Sequence, residues 1–249
     1  MAGAALSGRL GWQLGRVVDT IEETQRAKSL VLDLPNWPGH RAGQHVDIRL
    51  TADDGYQAQR GYSIASAPED DGITLTVDRL EGGEVSPYLT DVVRRGDELE
   101  LRGPIGGYFV WEASLPGPLL LISGGSGIVP LRAMLRHWAA ARAPVAVRMV
   151  HSARSLDDVI YRDELMRLVA FEEVDLRITL TRAWPENWRG HRGRVDREFL
   201  ESAAWPAQDR PRIYVCGPTA FVEAAAAALV ESGQQPNTIK TERFGPTGV

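Results

Sequence analysis

The chain has 249 residues, enough for two domains of ordinary size. Hydrophobic residues make up 43% and charged residues 24%, and the net charge of −5 gives no global reason to bind nucleic acid. One cysteine, Cys216, excludes an internal disulfide or a cysteine-held cluster, and the five histidines show no paired ligand spacing, so no protein-bound metal is expected.

The opening MAGAALSGRLGWQL lacks the apolar core of a signal peptide, and runs such as PLLLI are too short to cross a bilayer. A cytoplasmic, monomeric chain without membrane insertion is expected. Short alternating or β-branched stretches follow: WQLGRVVDTIEET, SLVLDLP, QHVDIRLT, GYSIAS, GITLTVDRL and DELELRGP. Several short strands at close spacing predict an antiparallel barrel. The spacing of SPYLTDVVRRG predicts one helix over 86–96, with Ser86 as N-cap, Pro87 at the first position and Gly96 beyond the end.

The rhythm changes at WEASLPGP, where two prolines and a glycine read as a linker near Ala113 to Pro118. The domains are therefore drawn as 1–113 and 114–249. Apolar strands then alternate with amphipathic helices. The strands are PLLLISGG, VAVRMVHSA, DLRITLTR, RIYVCGP and TIKTERF; the helices span 129–143, 156–171, 194–205 and 220–233. This alternation predicts a parallel sheet covered on both faces, which binds ligands beyond the carboxyl ends of its strands.

Those ends carry the chemistry. ISGGSGIVP turns from strand to helix; Gly125, Ser126 and Gly127 let backbone amides approach a phosphate, although alone the stretch also reads as a tight turn. HSARS, LTR and GRV place Arg154, Arg182 and Arg194 near one rim, with Ser152 and Thr181 beside two of them. Three converging guanidinium forks would hold a monoester phosphate; each alone would be a solvated surface arginine. Cys216, Gly217 and Pro218 end the fourth strand and open a helix. Cys216 has no nearby basic partner, so covalent catalysis is not expected.

In the first half, RGYSIAS puts a cation, an aromatic face and a hydroxyl (Arg60, Tyr62 and Ser63) along one strand. GGEVSPYL offers a second phosphate-ready helix start, and GPIGGYF a glycine-rich turn. Arg60 and the Ser86 end could clasp a diphosphate, with Tyr62 covering a flat ring and Ser63 donating to a ring heteroatom. Two nucleotide-like sites facing one another imply transfer between two cofactors.

With RGYS, GGSGIVP and CGP in this order, the chain resembles the ferredoxin–NADP reductase family of flavoproteins, in its stand-alone bacterial form without an iron–sulfur domain. The resemblance implies an FAD-binding antiparallel barrel followed by an α/β NADP-binding domain. It implies that Arg60, Val85 and Ser86 hold the FAD diphosphate, that Tyr62, Thr76 and Val77 line the flavin, and that Ser63 bonds near its N5. It places Gly125, Ser126 and Gly127 at the diphosphate and ribose of the nicotinamide nucleotide, and Ser152, Arg154, Thr181, Arg182 and Arg194 around a 2′-phosphate, which favours NADPH. Cys216, with Gly217 and Pro218, and Glu242 would shape the nicotinamide pocket; Phe244 would shield the flavin and the tail beyond it reach the adenine. Position 61 departs from the family's common Pro, being Gly, and the chain has no terminal aromatic of the plant kind. The implied acceptor is a ferredoxin, a flavodoxin or an oxygenase component. Reduction of free flavin or ferric chelates is the alternative, and a non-catalytic flavin sensor a further one.

Overall fold

A computed structural model describes residues 10–171 and 174–245. The leader reading at residues 1–9 and the tail reading at 246–249 fall outside them.

Six strands build the first sheet: β1 (Gln13–Glu22), β2 (Ala27–Asp33), β3 (His45–Thr51), β4 (Gln57–Ser63), β5 (Ile73–Asp78) and β6 (Glu98–Ile105). Their order is β4-β3-β6-β1-β2-β5, and every pairing is antiparallel. Alternate residues point inward, as period two requires, so Val17, Leu30, Leu32, Val46, Ile48, Leu75 and Leu101 fill one core. A register shift between Val17 and Asp19 bends β1 around it. Gly15 leaves room there for the Leu101 side chain, whose end would lie 2.8 Å from a Cβ.

The predicted helix over 86–96 is corrected. Helix α1 covers Val85–Pro87 and runs on as a wider π turn over Tyr88–Val92, ending where Val93 turns extended (ψ 134°). The chain enters it through Gly82 at φ +73°. The helix therefore starts before Ser86, and Glu84, not Ser86, stands at the N-cap.

The second sheet is parallel: β7 (Leu119–Gly124), β8 (Val147–Ala153), β9 (Asp175–Leu180), β10 (His191–Arg192), β11 (Arg212–Pro218) and β12 (Ile239–Phe244), in the order β10-β9-β8-β7-β11-β12. Helices α2 (Ile128–Ala140), α3 (Arg162–Phe171), α4 (Arg197–Ala203) and α5 (Thr219–Glu231) pack on its faces. β7 is buried throughout, which explains its unbroken apolar run. Leu119 and Leu121 face one core with α2 and α3; Leu120 and Ile122 face another with α4 and α5.

Two helices are shorter than predicted. The 156–171 segment breaks into a single turn at Leu156–Asp158 and α3, because Tyr161 sits at φ +61° between them. The 194–205 segment starts only at Arg197, where the Asp196 carboxylate accepts the Phe199 N–H (2.8 Å). The two-residue strand β10 was not predicted; it is too short to carry a period.

The segment read as a linker is anchored. Trp111 is fully buried, the Ala113 N–H donates to His137 Nε2 (3.3 Å) and the Tyr214 hydroxyl donates to the Val110 carbonyl (2.8 Å). Phe109, Trp111, Ala42 and Ala65 join the core beneath α2, so one apolar cluster spans both sheets. Burying each large apolar side chain contributes about 1.5–3 kcal/mol, against roughly 0–1 kcal/mol for an exposed ion pair. Apolar contact therefore holds the two halves together, and the polar contacts around it set their alignment. Among the described residues, no helix is long and apolar enough to cross a membrane.

Candidate active site

The first sheet fails to close. Among the described residues, its two edge strands, β4 and β5, meet only at the Ile64–Leu75 bridge and at the Ala65 N–H to Thr74 carbonyl bond (2.7 Å). Beyond that point the edges part. Tyr62 and Arg60 line one lip, and the backbone of Thr76 and Val77 forms the other.

Arg60 is exposed; its guanidinium donates to its own neighbour's carbonyl at Gln59 (2.7 Å) and stands 4.0 Å from Glu84. Tyr62 is half-buried against the barrel core, and that burial pushes its phenol up to about 12, against the opposing charge of Arg60. Arg60 and Tyr62 share one face of β4, while Ser63 lies on the other, paired with His45.

The side chains of four predicted contacts turn into the protein. Thr76 is buried beside Ser29 and Tyr161, Val77 and Val85 lie in the barrel core, and the Ser86 hydroxyl accepts the Leu80 N–H (3.0 Å). Thr76, Val77 and Val85 can meet a ligand only through their backbone, while the Ser86 hydroxyl keeps its proton to donate. Thr76 and Val77 offer the free edge of β5, which an alternating strand provides whatever its side chains do.

In the second sheet the loops gather at one edge. Gly125 (φ +54°), Ser126 and Gly127 form a single turn between β7 and α2, and β5 packs against this turn. A Cβ at Gly127 would lie 2.1 Å from the Cys216 carbonyl oxygen, so only glycine lets the two loops meet. Phe221 lies under Gly124 and Gly217 in the same way. The start of α5 has no side-chain cap, unlike α4, so its first amides remain available to an anion, whereas at α2 the Ile128 N–H is taken by the carbonyls of the preceding glycine turn.

Arg154, Arg182 and Arg194 follow the adjacent strands β8, β9 and β10, and all three are exposed. Arg154 and Arg182 are tied through the backbone, with the Arg182 N–H donating to the Arg154 carbonyl (2.9 Å); Gly193, before Arg194, donates to the Leu180 carbonyl (2.8 Å). Ser152 is buried on β8, and the Thr181 hydroxyl donates to the Ala153 carbonyl (3.2 Å). Arg154 also faces the first domain: burial raises the Asp78 carboxyl, while Arg26 and Arg154 draw it back.

Cys216 is buried, its thiol 3.9 Å from Glu242 Oε2, its register partner on β12. Burial and the neighbouring carboxylate push the thiol up, so it stays protonated. Burial also raises Glu242, to about 7. Phe244 pairs with Pro218 at the strand ends, partly exposed.

Residues 15–110 match the oxidoreductase FAD-binding domain family, and residues 121–227 the oxidoreductase NAD-binding domain family. A ferredoxin–NADP reductase B of Sorangium cellulosum (strain So ce56) is 37% identical over 210 residues, spanning 82% of this chain and 84% of that protein. The chain belongs to the ferredoxin–NADP reductase family. The glycine betaine monooxygenase reductase subunit of Pseudomonas aeruginosa (strain UCBPP-PA14) is 34% identical over 95% of the chain; the chain spans 65% of that relative's length. The flavohem-like FAD/NAD binding domain of nitric oxide dioxygenase from Vibrio cholerae O1 biovar El Tor has the same fold, with 25% identity, a TM-score of 0.85, and coverage of 96% of this chain and all of that one.

The site suits the two cofactors of a ferredoxin–NADP reductase relative. The open slit, with the exposed Arg60 guanidinium at its lip, accepts a flat group carrying a diphosphate. The glycine cradle against Cys216 leaves backbone room for a dinucleotide. Sequence reasoning missed Phe221, which shapes both glycine loops, and the buried pair formed by Ser123 Oγ and His151 Nδ1 (2.8 Å). Burial lowers His151 to about 4, so it is neutral. His151, Ser123, Cys216 and Glu242 stand in register across four neighbouring strands, an arrangement no linear spacing reveals.

Proposed function

We propose that the chain is an NADPH-dependent reductase that passes electrons through FAD to a separate protein: a ferredoxin, a flavodoxin or an oxygenase component. The preference for NADPH is carried by one observation. Arg49, Arg79, Arg102, Arg136 and Arg243 each engage a carboxylate. Arg154, Arg182 and Arg194, at three adjacent strand ends, have no ion-pair partner among the described residues, which leaves their forks for a phosphate. The reading of a protein acceptor is supported by the reductase-subunit relative, with free flavin as the competing acceptor.

In this reading the domains divide at residues 113 and 114. FAD, when bound, supplies the conversion from a two-electron donor to a one-electron acceptor. Arg60 and the α1 amides hold its diphosphate, Tyr62 covers its ring, and Ser63 donates near N5. Cys216 stays protonated and Glu242, raised to about 7, is only partly ionised near neutral pH, which lowers the negative charge in the nicotinamide pocket, and the close-packed glycine loops exclude water.

Anaerobic mixing with NADPH and with NADH, followed at the flavin band near ~450 nm, tests the preference. NADPH is expected to be favoured at low concentration, and Arg154→Ala or Arg182→Ala to weaken NADPH roughly ten- to a hundredfold while sparing NADH. Equal saturation by both nucleotides would remove the phosphate-site argument and leave the reductase.

A further inference from the structure

Tyr161 is the one buried aromatic of the described residues with a positive φ, +61°, a conformation that a bulky side chain adopts only when its surroundings enforce it. It stands just before α3, where the Leu165 N–H donates to its carbonyl (2.9 Å). A residue there is ordinarily extended. From this turn the ring packs in the apolar cluster that spans both sheets, and its hydroxyl reaches the first domain.

There the hydroxyl donates to Thr76 Oγ1, on one lip of the cofactor slit. Thr76 and Ser29 are 2.7 Å apart, and the Ser29 hydroxyl donates to Glu23 Oε1 (2.6 Å). With Glu23 ionised the donors run one way: Tyr161 to Thr76, Thr76 to Ser29, Ser29 to the carboxylate. Such one-directional chains polarise one another. The guanidinium of Arg132 lies over the Tyr161 ring, 4.5 Å from its centre, and donates to the Ala65 carbonyl (3.0 Å), just past the other lip. Glu164 on α3 fixes Arg132 (2.8 Å) and Arg136 (3.1 Å), and Arg136 reaches Asp70 of the first domain with two bonds (2.6 and 3.0 Å).

We infer that Tyr161 is a positioning residue: with Arg132 it grips both lips of the β4–β5 slit from the nucleotide-binding domain, and so sets the nicotinamide against the flavin ring. This rests on the family's transfer of hydride from pyridine nucleotide to flavin, not on the NADPH preference. The grip falls where it matters most, because among the described residues the lips are joined to each other only at the Ile64–Leu75 bridge and the adjoining Ala65–Thr74 bond.

Tyr161→Phe removes one oxygen and keeps the ring and its arginine. FAD content and thermal midpoint should hold. The limiting rate of anaerobic flavin reduction should fall at least tenfold with nucleotide Kd unchanged, the nicotinamide–flavin charge-transfer band should weaken, and the deuterium isotope effect on reduction should rise. Amide exchange at residues 65 and 76–78 should quicken in the FAD-loaded protein, a readout independent of turnover. Thr76→Val should match Tyr161→Phe, the double variant should add nothing, and Thr76→Ser should keep the wild-type rate. A wild-type reduction rate in Tyr161→Phe overturns the inference, whether or not exchange changes; so does a slow rate explained by lost FAD. If wild-type protein is reduced by neither nucleotide, the reductase reading fails, and unchanged exchange in Tyr161→Phe would then overturn the latch separately.

Discussion

The two halves of the molecule build their sites in opposite ways. The parallel sheet collects its site at strand ends, where each strand delivers its own short loop to one rim. The antiparallel sheet makes its site from a defect: the edges β4 and β5 meet at one bridge and then separate. In the first case each loop sequence is itself the signal. In the second, the site is a gap between segments more than ten residues apart, and it exists because the rest of the barrel holds the edges apart.

The largest expected effects come from glycines that serve this contrast. Gly127→Ala would place a methyl 2.1 Å from a backbone oxygen, with no flexible side chain to yield. Overpacking of this kind costs about 1–3 kcal/mol or more. The expected outcome is protein that retains FAD but is reduced by nucleotide at a small fraction of the normal rate. Gly43→Ala, at φ +100° with the Phe109 carbonyl 1.9 Å away, should instead collapse the barrel side, seen as flavin loss and poor yield. If both variants lost both properties together, the two sites would not be separable.

A smaller effect is expected from Arg60→Ala. The side chain is 61% exposed and has no strong partner, so the melting temperature of the flavin-free protein should stay constant. FAD affinity should drop roughly ten- to a hundredfold, the scale of a hydrogen bond to a charged group. An unchanged flavin dissociation constant would remove Arg60 from the diphosphate.

The smallest effect, and the most diagnostic of the strand-end pocket, concerns pH. Glu242 is raised from the usual carboxylate range to about 7. A raised folded-state value favours the protonated form, so this group's stabilising contribution is complete below about pH 4.5 and fades as pH rises through 7. Glu242→Gln should therefore leave the thermal midpoint unchanged near pH 4.5 and raise it by a few degrees at pH 8. A gain of equal size at both pH values would mean that Glu242 is not held in a desolvated pocket.

The sequence by itself determined the order of the two folds, the strand-end motifs and the candidate lip residues Arg60 and Tyr62, because periodicity and turn chemistry are local. It misplaced the helix near residue 86, because Ser86 resembles a cap while its hydroxyl is drawn back to Leu80 by a turn through Gly82. It also read residues 156–171 as one helix, because only contact across the interface makes the strained turn at Tyr161 worth forming. The slit, the inward rotation of Thr76, the register row from Glu242 to His151 and the grip of Tyr161 and Arg132 were decided by tertiary structure alone. Each joins residues far apart in the chain, and an interaction of that kind appears only after packing has brought its partners together.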